Sequence, residues 1–258
     1  MTPSRRVRRY LATTFGITWS SWWTLAALGG LDRGPAPLLL VGGSGPLIAA
    51  LSDRNRDGRR ELLRSAVRAD RLGRGWGPVL VVGVGPALAA TGAAVVVSDQ
   101  LRWPTLASAL GAVGFGLLAG IGEEPGWRGT LLRPWIERHG RVRASVLVGA
   151  VWALWHLPLY FASGTYQADR GLGWFAVSCV ELPALSLLLT WAYERSGWLV
   201  AAPLVAHALG NAAGEILPGQ GTAADITQSA AIIAAGLAVT RRLQEPSRAT
   251  DTKEAAGR

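Results

Sequence analysis

Gly122-Glu123-Glu124-Pro125-Gly126-Trp127-Arg128-Gly129 closes an apolar run that begins at Leu106. The run is long enough to enter a bilayer, and two adjacent carboxylates with an arginine at its end are costly there unless paired, hydrated or used. An ionisable cluster so placed is a functional-site candidate. Two later apolar segments each carry one histidine, His156 and His207, two of the three in the chain. Whether these three segments converge decides both fold and function.

Half of the 258 residues are hydrophobic, with 33 glycines and 12 tryptophans. Apolar runs of membrane length recur along nearly the whole chain, separated by short arginine-rich or Gly/Pro-rich pieces, and no strand pattern alternates with them. The pattern predicts an all-α, polytopic integral membrane protein. A net charge of +9 suggests nucleic acid at first sight. The basic residues instead sit in loops and tails between apolar runs, where they set topology and meet anionic headgroups, so nucleic acid is excluded as a partner and the lipid bilayer is expected. Arginine supplies 25 of the 26 basic residues, Lys253 being the exception. Cys179, the single cysteine, rules out an intrachain disulfide and a cysteine-cluster metal site. The start of the chain has the outline of a signal peptide, yet its apolar part is long, carries Trp19, Trp22 and Trp23, and lacks a small-x-small cleavage site, so a retained first helix is expected.

Eight segments follow: about Tyr10 to Gly30, Ala36 to Leu51, Trp76 to Ser98, Pro104 to Gly126, Ala144 to Ala162, Leu172 to Tyr193, Trp198 to Gly214 and Ala223 to Thr240. The second is short and Gly/Pro-rich. With this count, one side of the membrane receives the Arg5 to Arg9 cluster, the Arg54 to Arg74 loop with its eight arginines, the Arg133 to Arg143 loop, Arg195 and Arg241-Arg242. The other receives Arg33, Arg102 and Arg170. The asymmetry is that of eight spans with both termini cytoplasmic. Three parts result: a basic cytoplasmic N-terminus (1–9), a membrane-embedded domain (10–240) and a disordered cytoplasmic tail (241–258). Within the basic loop, residues 60–68 carry apolar positions at helical spacing and form either a short surface helix or a solvated loop. No inverted repeat of the transporter kind is visible.

At about 1.5 Å rise per residue, His156 lies roughly 20 Å, and His207 and Glu123 each about 15 Å, from the basic end of their segments. The three therefore share a layer near mid-membrane. A helix running unbroken from Pro104 to Arg133 exceeds a bilayer core of about 30 Å, which predicts a break near Pro125-Gly126 or Arg133-Pro134. His207 and Asn211 share a helical face, as do Glu124 and Arg128, whereas Glu123 and Glu124 point about 100° apart. One carboxylate is then the working group and the other a structural acceptor for Arg128. Two chemistries fit this set. In one, a carboxylate and imidazole activate water while a second imidazole and an amide hold the oxyanion; in the other, Glu123, His156 and His207 form a His₂Glu zinc set with an open position.

Glu123-Glu124-x-x-x-Arg128, Trp152-x-x-x-His156 and His207-x-x-x-Asn211, in this order on the fourth, fifth and seventh segments, resemble the three signature motifs of the CPBP family, the CAAX proteases and bacteriocin-processing enzymes also called Abi. The resemblance covers about Leu106 to Gly214. It implies a multi-pass, bacterial-type plasma-membrane endopeptidase related to the Ras-converting CAAX proteases, acting on a peptide or protein substrate, C-terminal or prenylated in the best-known relatives. Glu123 would activate water with His156 beside it, His207 and Asn211 would hold the oxyanion, and Glu124 and Arg128 would brace the site. The family pattern usually has Phe where Trp152 stands, a change between large aromatics that alters which side chains the cavity admits. The resemblance leaves glutamate-based and zinc-based activation both open.

Taken singly, each motif has a plainer reading: Glu123 or Glu124 with Arg128 as a buried ion pair, His156 as a packing histidine, His207 with Asn211 as an interhelical clamp. Their joint occurrence at matching depth favours a shared site. A non-proteolytic binding or bacteriocin-immunity protein using the same cavity is the alternative of a different class, and a solute transporter is a third. His139 is expected to be solvated, and Glu181 is an intramembrane carboxylate that the motifs leave unused. Asp225 and Glu215 read as interface residues, and Trp103, Trp174 and Trp198 as belt anchors.

Overall fold

Chain segments this apolar can satisfy their backbone groups in a bilayer only internally, and every regular element of the structure is helical. The computed structural model describes residues 3–97, 103–217 and 222–245, and no strand occurs among them. The helices are α1 (Pro3–Ala27), α2 (Gly30–Arg33), α3 (Pro37–Gly43), α4 (Gly45–Ser52), α5 (Arg56–Val67), α6 (Trp76–Val97), α7 (Leu106–Gly126), α8 (Arg133–His139), α9 (Arg141–Trp155), α10 (Tyr166–Arg170), α11 (Leu172–Arg195), α12 (Ala201–Ile216) and α13 (Thr222–Gln244). Five stretches are long and apolar enough to cross a membrane: Gly73–Val96, Leu106–His139, Arg141–Phe161, Leu172–Arg195 and Thr222–Gln244. The chain is a multi-pass membrane protein.

Several expectations change in detail. The stretch from Pro104 to Arg133 is not broken; α7 passes through a π-helical turn, Trp127–Leu132, directly into α8. Pro134 lacks the N–H that would take the Thr130 carbonyl in an α-helix, and the wider i→i+5 spacing accommodates such a defect without a kink. The Thr130 hydroxyl in turn donates to the Pro125 carbonyl five residues back (3.0 Å). The second segment is split at Ser44 into α3 and α4, because Gly45-Pro46 starts a new helix. The fifth ends its α-helix at Trp155, with His156 as its cap and a 3₁₀ turn, Leu157–Phe161, beyond. The arginine cluster near the N-terminus is helical, since α1 begins at Pro3. α13 carries Arg241 and Arg242 on to Gln244, where a disordered tail was expected; residues 246–258 lie outside those described, as do Ser98 and Arg102. The ambiguous basic loop contains a true helix, α5, started by Asn55, whose side chain accepts from Gly58 N (3.0 Å).

Small residues set the helix spacing that the site depends on. α7 packs against α12 and α4, α11 against α9 and α13, and α6 against α12. On α7, a Cβ at Gly116 would lie 2.5 Å from the Ala208 carbonyl oxygen and one at Gly120 2.8 Å from that of Leu204. The two glycines, four apart, let α12 approach backbone to backbone, the usual way to close a helix pair where lipid is as apolar as leucine. A Cβ at Gly149 of α9 would likewise meet Pro183 Cα of α11 at 2.3 Å.

The arginine-rich connections gather at one end of the bundle. Arg9 pairs with Asp53 (3.6 Å), Arg54 Nη2 donates to the Gly129 carbonyl (2.8 Å), and the Arg133 guanidinium lies over Trp198 (5.2 Å). Arg141 pairs with Glu194 (3.5 Å) and donates to the carbonyls of Leu243 and Glu245 (3.2 and 2.6 Å). Elsewhere, Ser163 takes Leu31 N and donates to the Gly29 carbonyl (both 2.7 Å), and Arg170 pairs with Asp225 (2.7 Å).

Candidate active site

The last turn of α7 and the π-turn after it, the last turn of α9 and its cap, and the middle of α12 supply the motif residues. Glu123, Glu124, Arg128, Trp152 and His207 are all buried, and His156 is nearly so. The two neighbouring carboxylates turn to different partners. Glu124 Oε1 receives both Arg128 Nη1 (3.0 Å) and His207 Nδ1 (2.9 Å), a three-helix-turn tie between α7 and α12. Glu123 Oε2 receives two indole N–H groups, from Trp152 (2.6 Å) and Trp127 (3.4 Å). Buried carboxylates demand such donors, and the division fits a structural Glu124 beside a differently disposed Glu123.

Trp152 is the hub. Besides its bond to Glu123, its ring stands 5.3 Å from that of His207 and 6.0 Å from that of His156, and the Arg128 guanidinium lies 4.9 Å from its centroid. Cation–π contact at this range supplements the Arg128–Glu124 pair. His156 Nδ1 meets the Trp152 carbonyl at 3.0 Å. A carbonyl only accepts, so Nδ1 carries the hydrogen and Nε2 is left with its lone pair. The His156 ring is further walled by Trp155 (4.7 Å, edge-on) and Trp22 (6.1 Å, stacked). Trp152 thus contacts both Glu123, through its N–H, and the His156 ring, and no hydrogen bond joins His156 to Glu123 among the described residues. Asn211 stands one turn beyond His207 on α12, half-buried.

Among the described residues, no group of three His, Cys, Asp or Glu side chains could hold a metal ion. Glu123, His156 and His207 each give one atom to a protein partner and keep another, as zinc ligands also do, but in this structure they are not grouped as a His₂Glu set.

Several site residues carry no motif. α1 lies along the site: Trp155 Nε1 donates to Thr18 Oγ1 (2.7 Å), Trp19 Nε1 to the Trp155 carbonyl (3.3 Å), and Tyr10 packs edge-on against Trp127 (6.1 Å). Among the described residues, Glu124 Oε2, Arg128 Nε and Arg128 Nη2 are buried without a hydrogen-bond partner. Polar capacity thus exceeds the pairs made, a cost of about 1–3 kcal/mol per group that stable packing alone does not call for. The sequence signal for α1 was its cluster of Trp19, Trp22 and Trp23, which says "aromatic surface" without saying against what. Glu181 sits apart, accepting from Ser229 of α13 (3.0 Å).

Residues 104–213 match the family of type II CAAX prenyl endopeptidases described as Rce1-like. The CAAX prenyl protease 2 of Methanococcus maripaludis is 30% identical to this chain over 128 residues, covering 47% of this chain and 43% of that protein. The chain therefore spans less than half the length of that relative. The matched stretch runs from the residue before the α7 cap, Thr105, through the turn of α12 past Asn211, so it contains all three motifs and the pairs described above. Over these residues, 104–213, the chain is similar to the Rce1-like type II CAAX prenyl endopeptidases.

Proposed function

We propose that the protein is an intramembrane endopeptidase that hydrolyses a peptide bond with water activated by Glu123. The observation that carries the reading is the unequal treatment of the two carboxylates. Glu124 is spent on Arg128 and His207, whereas Glu123 gives one oxygen to two indoles and keeps Oε1 for a reacting water. Glu123 Oε1 takes a proton as the water oxygen bonds to the scissile carbonyl carbon. The developing oxyanion is met by the His207 ring, which Glu124 holds through Nδ1, and by the Asn211 amide. The proton then passes to the leaving nitrogen as the C–N bond breaks. His156, fixed through Nδ1, offers Nε2 as an acceptor at the edge of this site, and its reach to the water rather than to Glu123 is what it contributes.

The substrate is a peptide or protein whose scissile bond reaches the bilayer interior; a C-terminal, prenylated one follows from what the Methanococcus relative is named for. The topology we assign is eight crossings with both termini cytoplasmic: the five long helices plus α1, the α3–α4 pair and α12. Domain limits of 10–240 for the membrane unit go with it. Glu123→Gln and His207→Ala proteins, purified in detergent and matching wild type in elution and thermal unfolding, are expected to lose cleavage of a peptide library by at least about 100-fold, the scale for removing a general base or an oxyanion donor. Wild-type activity is expected to survive a chelator. Undiminished cleavage by both variants would overturn the reading, and loss with chelator alone would return zinc to the site.

A further inference from the structure

α5 is not part of the matched family stretch, and its faces divide unusually. Leu62 and Ala66 are buried, while Leu63 is 44% and Val67 73% exposed. With about 100° per residue, Arg56, Leu63, Val67, Arg60 and Arg64 fall on one outward arc, two apolar side chains set among three arginines. All three arginines are exposed; Arg60 reaches only the exposed Asp57 (3.8 Å), and Arg56 and Arg64 have no partner among the described residues. The element is held to the bundle. It is tethered between α4 and α6, Ser65 Oγ accepts from Val200 N (2.9 Å), and Gly75 abuts Ser196 so closely that a Cβ would meet it at 2.9 Å. Trp76, 40% exposed, and Trp198 flank those contacts, and tryptophan at the ends of apolar segments marks headgroup depth.

α5 also touches what holds the site. Leu62 packs on Gly129, where a Cβ would come within 2.5 Å of its Cδ1, and Arg54 just before the helix donates to the same residue's carbonyl (2.8 Å). Gly129 follows Arg128 in the π-turn. Val200, held by Ser65, is the residue on which α12 starts, seven before His207.

We infer that the outward face of α5 is a binding surface for anionic phospholipid headgroups, Arg56, Arg60 and Arg64 meeting phosphates while Leu63 and Val67 enter the acyl boundary, and that its occupation steadies the π-turn and the start of α12. The first half stands on α5 alone, and the second rests on the peptidase reading. Charge complementarity and enforced headgroup depth select lipid over a soluble acidic partner.

The test uses the full chain in nanodiscs of phosphatidylcholine or of phosphatidylcholine with phosphatidylglycerol, following amide hydrogen exchange over residues 56–67 and peptide cleavage in the same samples. An arginine near an anionic surface contributes about fivefold in binding, so exchange in wild type is expected to slow about fivefold or more with phosphatidylglycerol. The R56Q/R60Q/R64Q protein should lose that slowing and its lysine counterpart should keep it. Equal exchange in both lipids, or equal slowing in the glutamine variant, overturns the surface; protection by an acidic peptide but not by phosphatidylglycerol reassigns it to a protein partner and also overturns it. Cleavage that rises with phosphatidylglycerol in wild type alone supports the coupling, and cleavage indifferent to lipid while exchange responds overturns it. Lipid-responsive exchange with no cleavage in either disc leaves the surface standing and counts against the peptidase reading instead.

Discussion

At the residue scale, Trp152 stands where the motif resemblance leads one to expect phenylalanine, and the structure gives it a task. Its indole N–H reaches Glu123 Oε2 at 2.6 Å while its ring lies beside His156, His207 and Arg128. W152F should keep the packing and lose only the donor. A hydrogen bond to a charged group contributes about 1.5–3 kcal/mol, so kcat is expected to fall about 10- to 100-fold with little change in KM. W127F, which removes the longer 3.4 Å bond, should cost less. Equal kcat in wild type and W152F would show the indole to be a space-filler. Much of this site was legible beforehand. An Arg128 four residues after Glu124 announces its pair, and a histidine and asparagine four apart announce a shared face. The partner of His207 was not, because the contact spans 83 positions and a single sequence carries no long-range signal. For the same reason the Trp127 and Trp152 bonds to Glu123, and the α1 residues Tyr10 and Thr18, could not be assigned to the site.

At the scale of elements, the Glu124–His207 bond exists because α7 and α12 touch backbone to backbone. G120V would place methyl groups where the Leu204 carbonyl oxygen lies 2.8 Å from even a Cβ, and α12 would have to move outward. Overpacking of this kind costs about 1–3 kcal/mol. The expected result is a lower unfolding temperature together with a loss of cleavage larger than that of a control such as G114V, where a Cβ meets nothing within 4 Å. Gly116-x-x-x-Gly120 is a small-xxx-small signature that the sequence does display; it was hidden inside a run read only for its length and its terminal charges. The π-turn was less readable. Length demanded some irregularity after Pro125, yet a break and a widened turn relieve the same mismatch, and only the packing around Arg128 and Gly129 distinguishes them.

At the scale of the molecule, the arginines sort the two ends. The contacts of Arg9 with Asp53, Arg54 with Gly129, Arg133 with Trp198 and Arg141 with Glu194 draw four sequence-distant basic regions together. In a Cys179→Ser background within sealed, right-side-out vesicles, cysteines at Arg64 and Arg138 should resist an impermeant maleimide until detergent is added, and cysteines at Asp32 and Asp169 should react at once; the reverse pattern, or a mixed one, would break the eight-crossing topology. All-helical class and membrane residence were plain from apolar run length, whereas the count of crossings was not, because α3, α4 and α12 are too short to be judged by length alone. One feature of this packing extends past chemistry into optics. Trp22 and Trp127 stand 4.4 and 5.7 Å from Trp155 between ring centroids, tilted and edge-on, and Trp152 lies three residues before Trp155 on the same helix. Indoles so close exchange excitation, and Trp127, one of them, reaches Glu123 Oε2 at 3.4 Å. Near-ultraviolet circular dichroism reads the candidate site directly, and any peptide that enters it announces itself in the spectrum without a label.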